Sequence, residues 1–325
     1  MPRNLSLNFP PVGAPAITLV IPVFNEEAVL PELFARLARL FDANPAEQWS
    51  AVLVNDGSRD GSVALIRAKS AADPRFVLVE LSRNVGFQAA ISAGLAEALT
   101  RDSAAVVTLD ADLQDPPELI PEMLARWREG AEVVLAVRRS RQETGLRRAG
   151  MDLFHRTFGA VADLRMDSNT GTFSLLDRVA VDALNRLPER NRFFPGLRSW
   201  VGFKTGEVLY DRQERAAGQP QQTFGRLMRY ALDGVFSFSY LPLRLLTYTG
   251  VTVSAAGFVI GCFFVIRRLL GVEIAQTGFT TLVTLVLFLG GVQLIGIGVL
   301  GEYLARVYDE VKQRPPYIVR RPRRE

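Results

Sequence analysis

Two stretches near the C-terminus contain no charged residue, one between Arg244 and Arg267 and one between Glu273 and Glu302. At about 1.5 Å of rise per residue, a helix through either one crosses a hydrocarbon core of roughly 30 Å. The sequence therefore predicts two transmembrane helices over 247–304, joined by a short turn around Leu270 to Gln276. The alternative is a pair of helices buried in a soluble core. Arg226, Arg229 and Arg244 precede the first span; Lys312, Arg314, Arg320, Arg321, Arg323 and Arg324 follow the second; the turn carries only Arg267 and Arg268. Positive flanks stay cytoplasmic, so both ends of a plasma (inner) membrane hairpin, with everything N-terminal to it, are expected on the cytoplasmic side. The net charge of +4 then reads as a bias toward the membrane surface, with no nucleic-acid motif beside it.

The residues before the spans have a different rhythm. Short β-branched runs at 17–24, 51–55, 76–81, 104–109 and 133–137 alternate with helical apolar spacing at 28–41, 62–71, 88–99 and 119–129. This predicts an α/β domain over 16–221 built on a mostly parallel, Rossmann-like sheet. Residues 1–15 read as an N-terminal tail. The run Ile17 to Ile21 is short and meets Pro22, so it reads as a strand and not as a secretion signal. After Arg138 a polar segment, a helix and a strand near 172–176 follow. Residues 222–246 mix aromatics with Arg226, Arg229 and Arg244, which suits amphipathic helices lying along the membrane, with Pro242 expected at a break between two of them. Residues 305–325 read as a basic cytoplasmic tail.

Chemistry gathers where the predicted strands end. Leu109-Asp110-Ala111-Asp112-Leu113-Gln114-Asp115-Pro116 follows the fourth strand, at the C-terminal mouth where open α/β sheets take ligands. Two acids one residue apart suit a hard divalent cation that shares its shell with a diphosphate, or an ordinary acidic turn. Asp115, just before Pro116, reads as a helix cap. Pro22-Val23-Phe24-Asn25-Glu26 follows the first strand and Asn55-Asp56-Gly57-Ser58 the second; Asp56 is placed to accept hydrogen bonds from a base or ribose. Together the three strand ends point to a nucleotide-sugar site.

Other chemistries find little support. Cys262 is the only cysteine and lies in the first span, which rules out an intrachain disulfide. His155 is the only histidine, and its setting reads as an ordinary helix face. Gly296-Ile297-Gly298-Val299-Leu300-Gly301 has dinucleotide-fingerprint spacing but lies inside a span with no strand before it, so its glycines are read as helix packing.

On these motifs the chain resembles the family 2 glycosyltransferases of the GT-A fold, and among them the polyprenyl-phosphate glycosyltransferases, which include dolichyl-phosphate mannose synthases and GtrB-type enzymes. The resemblance continues through 171–178, 191–203, 215–218 and 233–244, and the paired C-terminal spans match the GtrB-type arrangement. It implies that Pro22, Val23, Phe24, Glu26 and Asp56 line the nucleoside pocket, continued by Asp110 and Ala111. It implies that Asp110 and Asp112 are catalytic and, with Gln114, surround Mg2+ or Mn2+, and that Arg138, Arg147 or Arg148, and Arg215 face phosphates. The implied reaction is inverting transfer of one sugar from a UDP- or GDP-sugar to polyprenyl (undecaprenyl) phosphate, with a homo-oligomer and a lipid-sugar flippase as implied partners. The chain departs from relatives at Thr172 and Ser174, where they often carry Asp and Arg, and at Gln221, where they often carry Lys; these losses bear on the sugar, the acceptor and the activity level. Competing readings are a transferase acting on another membrane glycolipid or polysaccharide, and a non-catalytic scaffold. A Gln-x-x-Arg-Trp segment typical of processive synthases is missing from the sequence.

Overall fold

The computed structural model describes residues 14–139, 170–190, 192–211, 241–270 and 278–320. Elements are numbered within that range. The strands are β1 (Ala16–Val23), β2 (Gln48–Asn55), β3 (Phe76–Glu80), β4 (Ala105–Thr108), β5 (Val133–Arg138), β6 (Thr170–Asp177) and β7 (Thr205–Tyr210). The helices are α1 (Leu30–Ala43), α2 (Ser62–Ala72), α3 (Phe87–Thr100), α4 (Ile120–Arg128), α5 (Arg178–Arg186), α6 (Phe194–Trp200), α7 (Leu241–Leu269) and α8 (Phe279–Val311).

One seven-stranded sheet runs in the order β3-β2-β1-β4-β6-β5-β7. It is parallel except for β6, which lies antiparallel between β4 and β5. β2 starts three residues before the predicted position because Gln48 to Ser50 pair with Ala16 to Thr18 of β1. Strand order reverses between β1 and β4, and that switch point opens a crevice beyond the strand ends.

Alternation along the central strands divides the core. Ile17, Leu19, Ile21 and Leu53 meet Leu30, Leu33 and Leu37, which α1 presents at spacings of three and four, while Val52 and Val54 pack toward Ala90 and Ala93 of α3. The second interface is close enough to specify one residue. A Cβ on Gly94 would stand 2.2 Å from Val20 Cγ1 and 3.1 Å from Val54 Cγ2. Gly94→Ala is therefore expected to lose about 1–3 kcal/mol by overpacking, with a helix-propensity gain of up to about 1 kcal/mol against it. Thermal unfolding in detergent reads the result, and an unchanged or raised midpoint would refute it.

By contacts the described residues form two units, 14–139, 170–190, 192–211 and 315–320 in one and 241–270 with 278–314 in the other. In the second unit α7 and α8 are long and apolar enough to cross a membrane, over Leu243–Ile260 and Phe288–Val311. Those windows are 0% and 6% buried, the opposite of helices in a soluble core. The chain thus carries a membrane-associating pair of helices.

Several expectations change here. Pro242 lies in the first described turn of α7, a 29-residue helix and not a short one, and the segment before Leu241, where the other expected short helix falls, is outside the described residues. Arg267 and Arg268 belong to the last turn of α7 rather than to a connecting turn, and α8 continues to Val311, past the expected boundary at 304. Of the three spaced glycines only Gly296 is tightly packed, with its added Cβ position 2.8 Å from Leu246 of α7; Gly298 and Gly301 have open space. The interfacial segment 222–240, His155, Arg147, Arg148, Arg215 and Gln221 lie outside the described residues.

Candidate active site

The loops after β1 and β2 are laced together. Asn25 N–H donates to Ser58 Oγ at 3.0 Å, and Asn25 Oδ1 accepts from Arg59 N at 2.8 Å. Glu26 N–H donates to Ser62 Oγ at 3.0 Å, and Gly61 N–H donates to Glu27 Oε2 at 2.7 Å. Asn25 takes φ +56°, a left-handed conformation that asparagine accepts more readily than most residues. These bonds hold Phe24 and Glu26 at the sheet's C-terminal edge.

Asp56 is 3% exposed. Its Oδ1 accepts from Val85 N–H at 2.7 Å and its Oδ2 from Gly86 N–H at 2.9 Å, so it anchors the loop between β3 and α3. Burial pushes its carboxyl up, opposed by those two amides and by the Arg83 charge. Gly57, at φ +70°, lets the same loop come close, since a Cβ would fall 2.6 Å from Asn84 N. An open cavity of ≈ 710 Å³ lies among these loops, lined in part by Phe24, Asn25, Asn55, Gly57, Ser82 and Asn84. Of the expected nucleoside residues only Phe24 lines it; Pro22, Val23, Asp56 and Ala111 are buried, and Glu26 and Asp110 are part-buried.

The acidic turn follows β4 at the switch point. Leu113 takes φ +60°, costly for a bulky residue, in the middle of the turn that carries both Asp112 and Gln114. Asp112 Oδ1 accepts from Gln114 N–H at 3.1 Å. Asp110 Oδ1 accepts from Thr172 Oγ1 at 3.1 Å, which gives the Thr172 departure a defined place beside the first acid. Burial, then the charges of Asp115 and Asp112, push the Asp110 carboxyl up to about 7, with Thr172 and Arg138 opposing.

Asp115 is not the expected helix cap. The residue before the short 3-10 turn Pro117–Leu119 is Pro116, with no side-chain cap, and Asp115 is fully buried. Tyr210 donates its phenol to Asp115 Oδ1, Arg138 Nε donates to the Tyr210 oxygen at 3.1 Å, and Arg138 Nη2 is 3.9 Å from Asp115. Burial and the Asp115 charge raise the Tyr210 phenol well above its ordinary value, so it stays a donor. This links the ends of β5 and β7 to the acidic turn and fixes Arg138 beside it. Sequence reading missed Tyr210 and residues 82–84, although each stands at the same mouth of the sheet as the motifs it found; it singled out Thr172 as a departure but not its bond to Asp110.

Among the described residues no three His, Cys, Asp or Glu side chains are grouped tightly enough to enclose a metal ion. Asp110 and Asp112 nevertheless fit a divalent cation that draws its remaining ligands from a diphosphate and water, since Mg2+ is ordinarily held by one or two carboxylates. The concentrated negative charge and the buried Asp115 Oδ2, which has no hydrogen-bond partner among the described residues, both favour a cation there.

Comparison with known proteins places this chain in a class. The profile of Glycosyl transferase family 2 matches residues 18–184. The chain belongs to that family and is a glycosyltransferase with a GT-A catalytic domain. An uncharacterized glycosyltransferase of Synechocystis is 44% identical over 306 residues, covering 93% of this chain and 94% of the relative. The bactoprenol glucosyl transferase of Shigella phage SfII is 41% identical, covering 95% and 98%. A prophage bactoprenol glucosyl transferase homolog of Escherichia coli is 40% identical, covering 94% and 98%.

Proposed function

We propose that this protein transfers one sugar, with inversion, from a UDP- or GDP-sugar to polyprenyl phosphate at the cytoplasmic face of the plasma membrane. The observation that carries the reading is the carboxylate pair Asp110 and Asp112 at the β1–β4 switch point, on a chain that also bears two exposed apolar helices. Near-complete overlap with relatives named bactoprenol glucosyl transferase supports the lipid acceptor.

The chemistry needs no strong protein base. A phosphate monoester with a second pKa of about 6 is largely dianionic at neutral pH and is itself the nucleophile. The protein's task is to bring it to an anionic donor and stabilise the departing nucleoside diphosphate. Asp110, Asp112 and Gln114 would hold Mg2+ or Mn2+, which supplies positive charge to the diphosphate. Arg138, held by Tyr210, supplies a fixed guanidinium at the same mouth, and Arg147, Arg148 and Arg215 are proposed for the remaining phosphates. Phe24 and Glu26 with Pro22, Val23, Asp56 and Ala111 are proposed to form the nucleoside pocket, with Asp56 acting through the loop it anchors. The product, a lipid-linked sugar made on the cytoplasmic side, calls for a flippase before use on the other; a homo-oligomer of the membrane helices completes the proposal.

Purified protein given labelled UDP- and GDP-sugars, undecaprenyl phosphate and Mn2+ or Mg2+ is expected to form an organic-extractable labelled lipid. No product across a broad donor panel would defeat the proposal, and transfer only to another glycolipid would redirect it.

A further inference from the structure

The basic tail after the second apolar helix does more than mark a membrane face. Residues 315–320 belong to the unit that contains the sheet, and 318–320 pair with residues 80–82 at the C-terminal end of the edge strand β3. Leu81 and Val319 form an antiparallel bridge. Ser82 N–H donates to Ile318 O at 2.9 Å, and Arg320 N–H donates to Glu80 O at 2.7 Å. Tyr317 packs against the apolar cluster of Val52, Val54 and Ala90.

This pairing brings Arg320 into the wall of the ≈ 710 Å³ cavity that Phe24 and Asn55 also line. Its Nη1 donates to Glu80 Oε1 at 2.8 Å, and Glu80 also receives Arg67 at 3.1 Å. A guanidinium has five N–H donors in a planar fork, so a single bond to Glu80 orients it while leaving donors for a ligand. Arg59 and Arg83 line the same cavity, and Glu80 is the only carboxylate lining it among the described residues. Three cations facing one anion suit a ligand rich in phosphate and carbonyl oxygens.

We infer that residues 317–320 are a built part of the donor site, and that Arg320 binds the nucleotide moiety of the sugar donor. The inference rests on the glycosyl-transfer reading and goes beyond it, because it gives a donor-binding role to a segment C-terminal to the apolar helices. A cytoplasmic flank requires only charge; here backbone hydrogen bonds on both sides of the Leu81–Val319 bridge also fix position.

The test is calorimetry of the full chain in detergent with Mn2+ and either uridine or guanosine diphosphate, comparing wild type, Arg320→Ala and Arg320→Lys. Arg320→Ala is expected to weaken nucleoside diphosphate binding about tenfold, the effect of losing one charge-assisted hydrogen bond. The loss should appear in the donor KM rather than in kcat. Arg320→Lys, which keeps the charge but not the fork, is expected to recover only part of it. In hydrogen exchange, the Ser82 and Arg320 amides are expected to slow when the diphosphate binds. Binding by Arg320→Ala within about twofold of wild type overturns the inference, as does a lowered unfolding midpoint with unchanged affinity. If wild type binds no nucleoside diphosphate, the glycosyl-transfer reading itself fails.

Discussion

Asp112→Ala is expected to reduce sugar transfer by about 10³-fold or more. The donor diphosphate gains charge as its bond to the sugar breaks, and a cation held there is worth several kcal/mol of transition-state stabilisation. Without Asp112 the turn keeps Asp110, but a lone carboxylate that burial and Asp115 already favour as the neutral acid is a poor cation ligand. The fold should survive, because the Asx-type bond from Gln114 N–H contributes only about 1 kcal/mol. Transfer of labelled sugar to undecaprenyl phosphate, with the unfolding midpoint as control, measures both. A rate within tenfold of wild type in a folded variant would remove Asp112 from the chemistry.

The second large effect is on pH. With its carboxyl pushed up to about 7, Asp110 must lose a proton before it can bind a cation. Mn2+ affinity is thus expected to be steady above about pH 7 and to fall about tenfold per unit below it, the slope of one displaced proton. Stability of the cation-free protein should respond in the opposite sense. The folded state holds this proton more tightly than the unfolded chain, whose Asp titrates near its ordinary value, so Asp110's contribution declines as pH rises from about 4 through about 7. Asp115→Asn removes the nearby charge that raises Asp110 and is expected to shift the Mn2+ profile to lower pH. Mn2+ titrations by electron paramagnetic resonance between pH 5.5 and 8.5 check this, and a flat wild-type profile would refute it.

The site was legible where one local rule applied: a parallel strand delivers its last residues to the ligand mouth. That rule placed Phe24, Asp56, Asp110 and Asp112 correctly at the C-terminal edge, because strand direction and alternation follow from short-range pattern. Asp115 shows where the rule stopped. Beside Pro116 it has the local form of a cap, yet Tyr210 captures it from 95 positions away, and no window of sequence contains both residues. Asp56 was read as an acceptor for a base or ribose, whereas its two oxygens accept from the amides of Val85 and Gly86, about thirty positions away.

The sequence by itself determined the succession of strands and helices, the two apolar helices, the acidic pair at the fourth strand's end and the resemblance that names the family. Each is written in contiguous residues, as periodicity, length or spacing. Tertiary structure alone decided that β6 runs antiparallel beside the acids, that Tyr210 and Arg138 form one buried network with Asp115, and that Arg320 enters the wall of the cavity beside β3. Those depend on which distant segments share an edge or a crevice, and pairing across that separation is set by the sheet order of the whole domain.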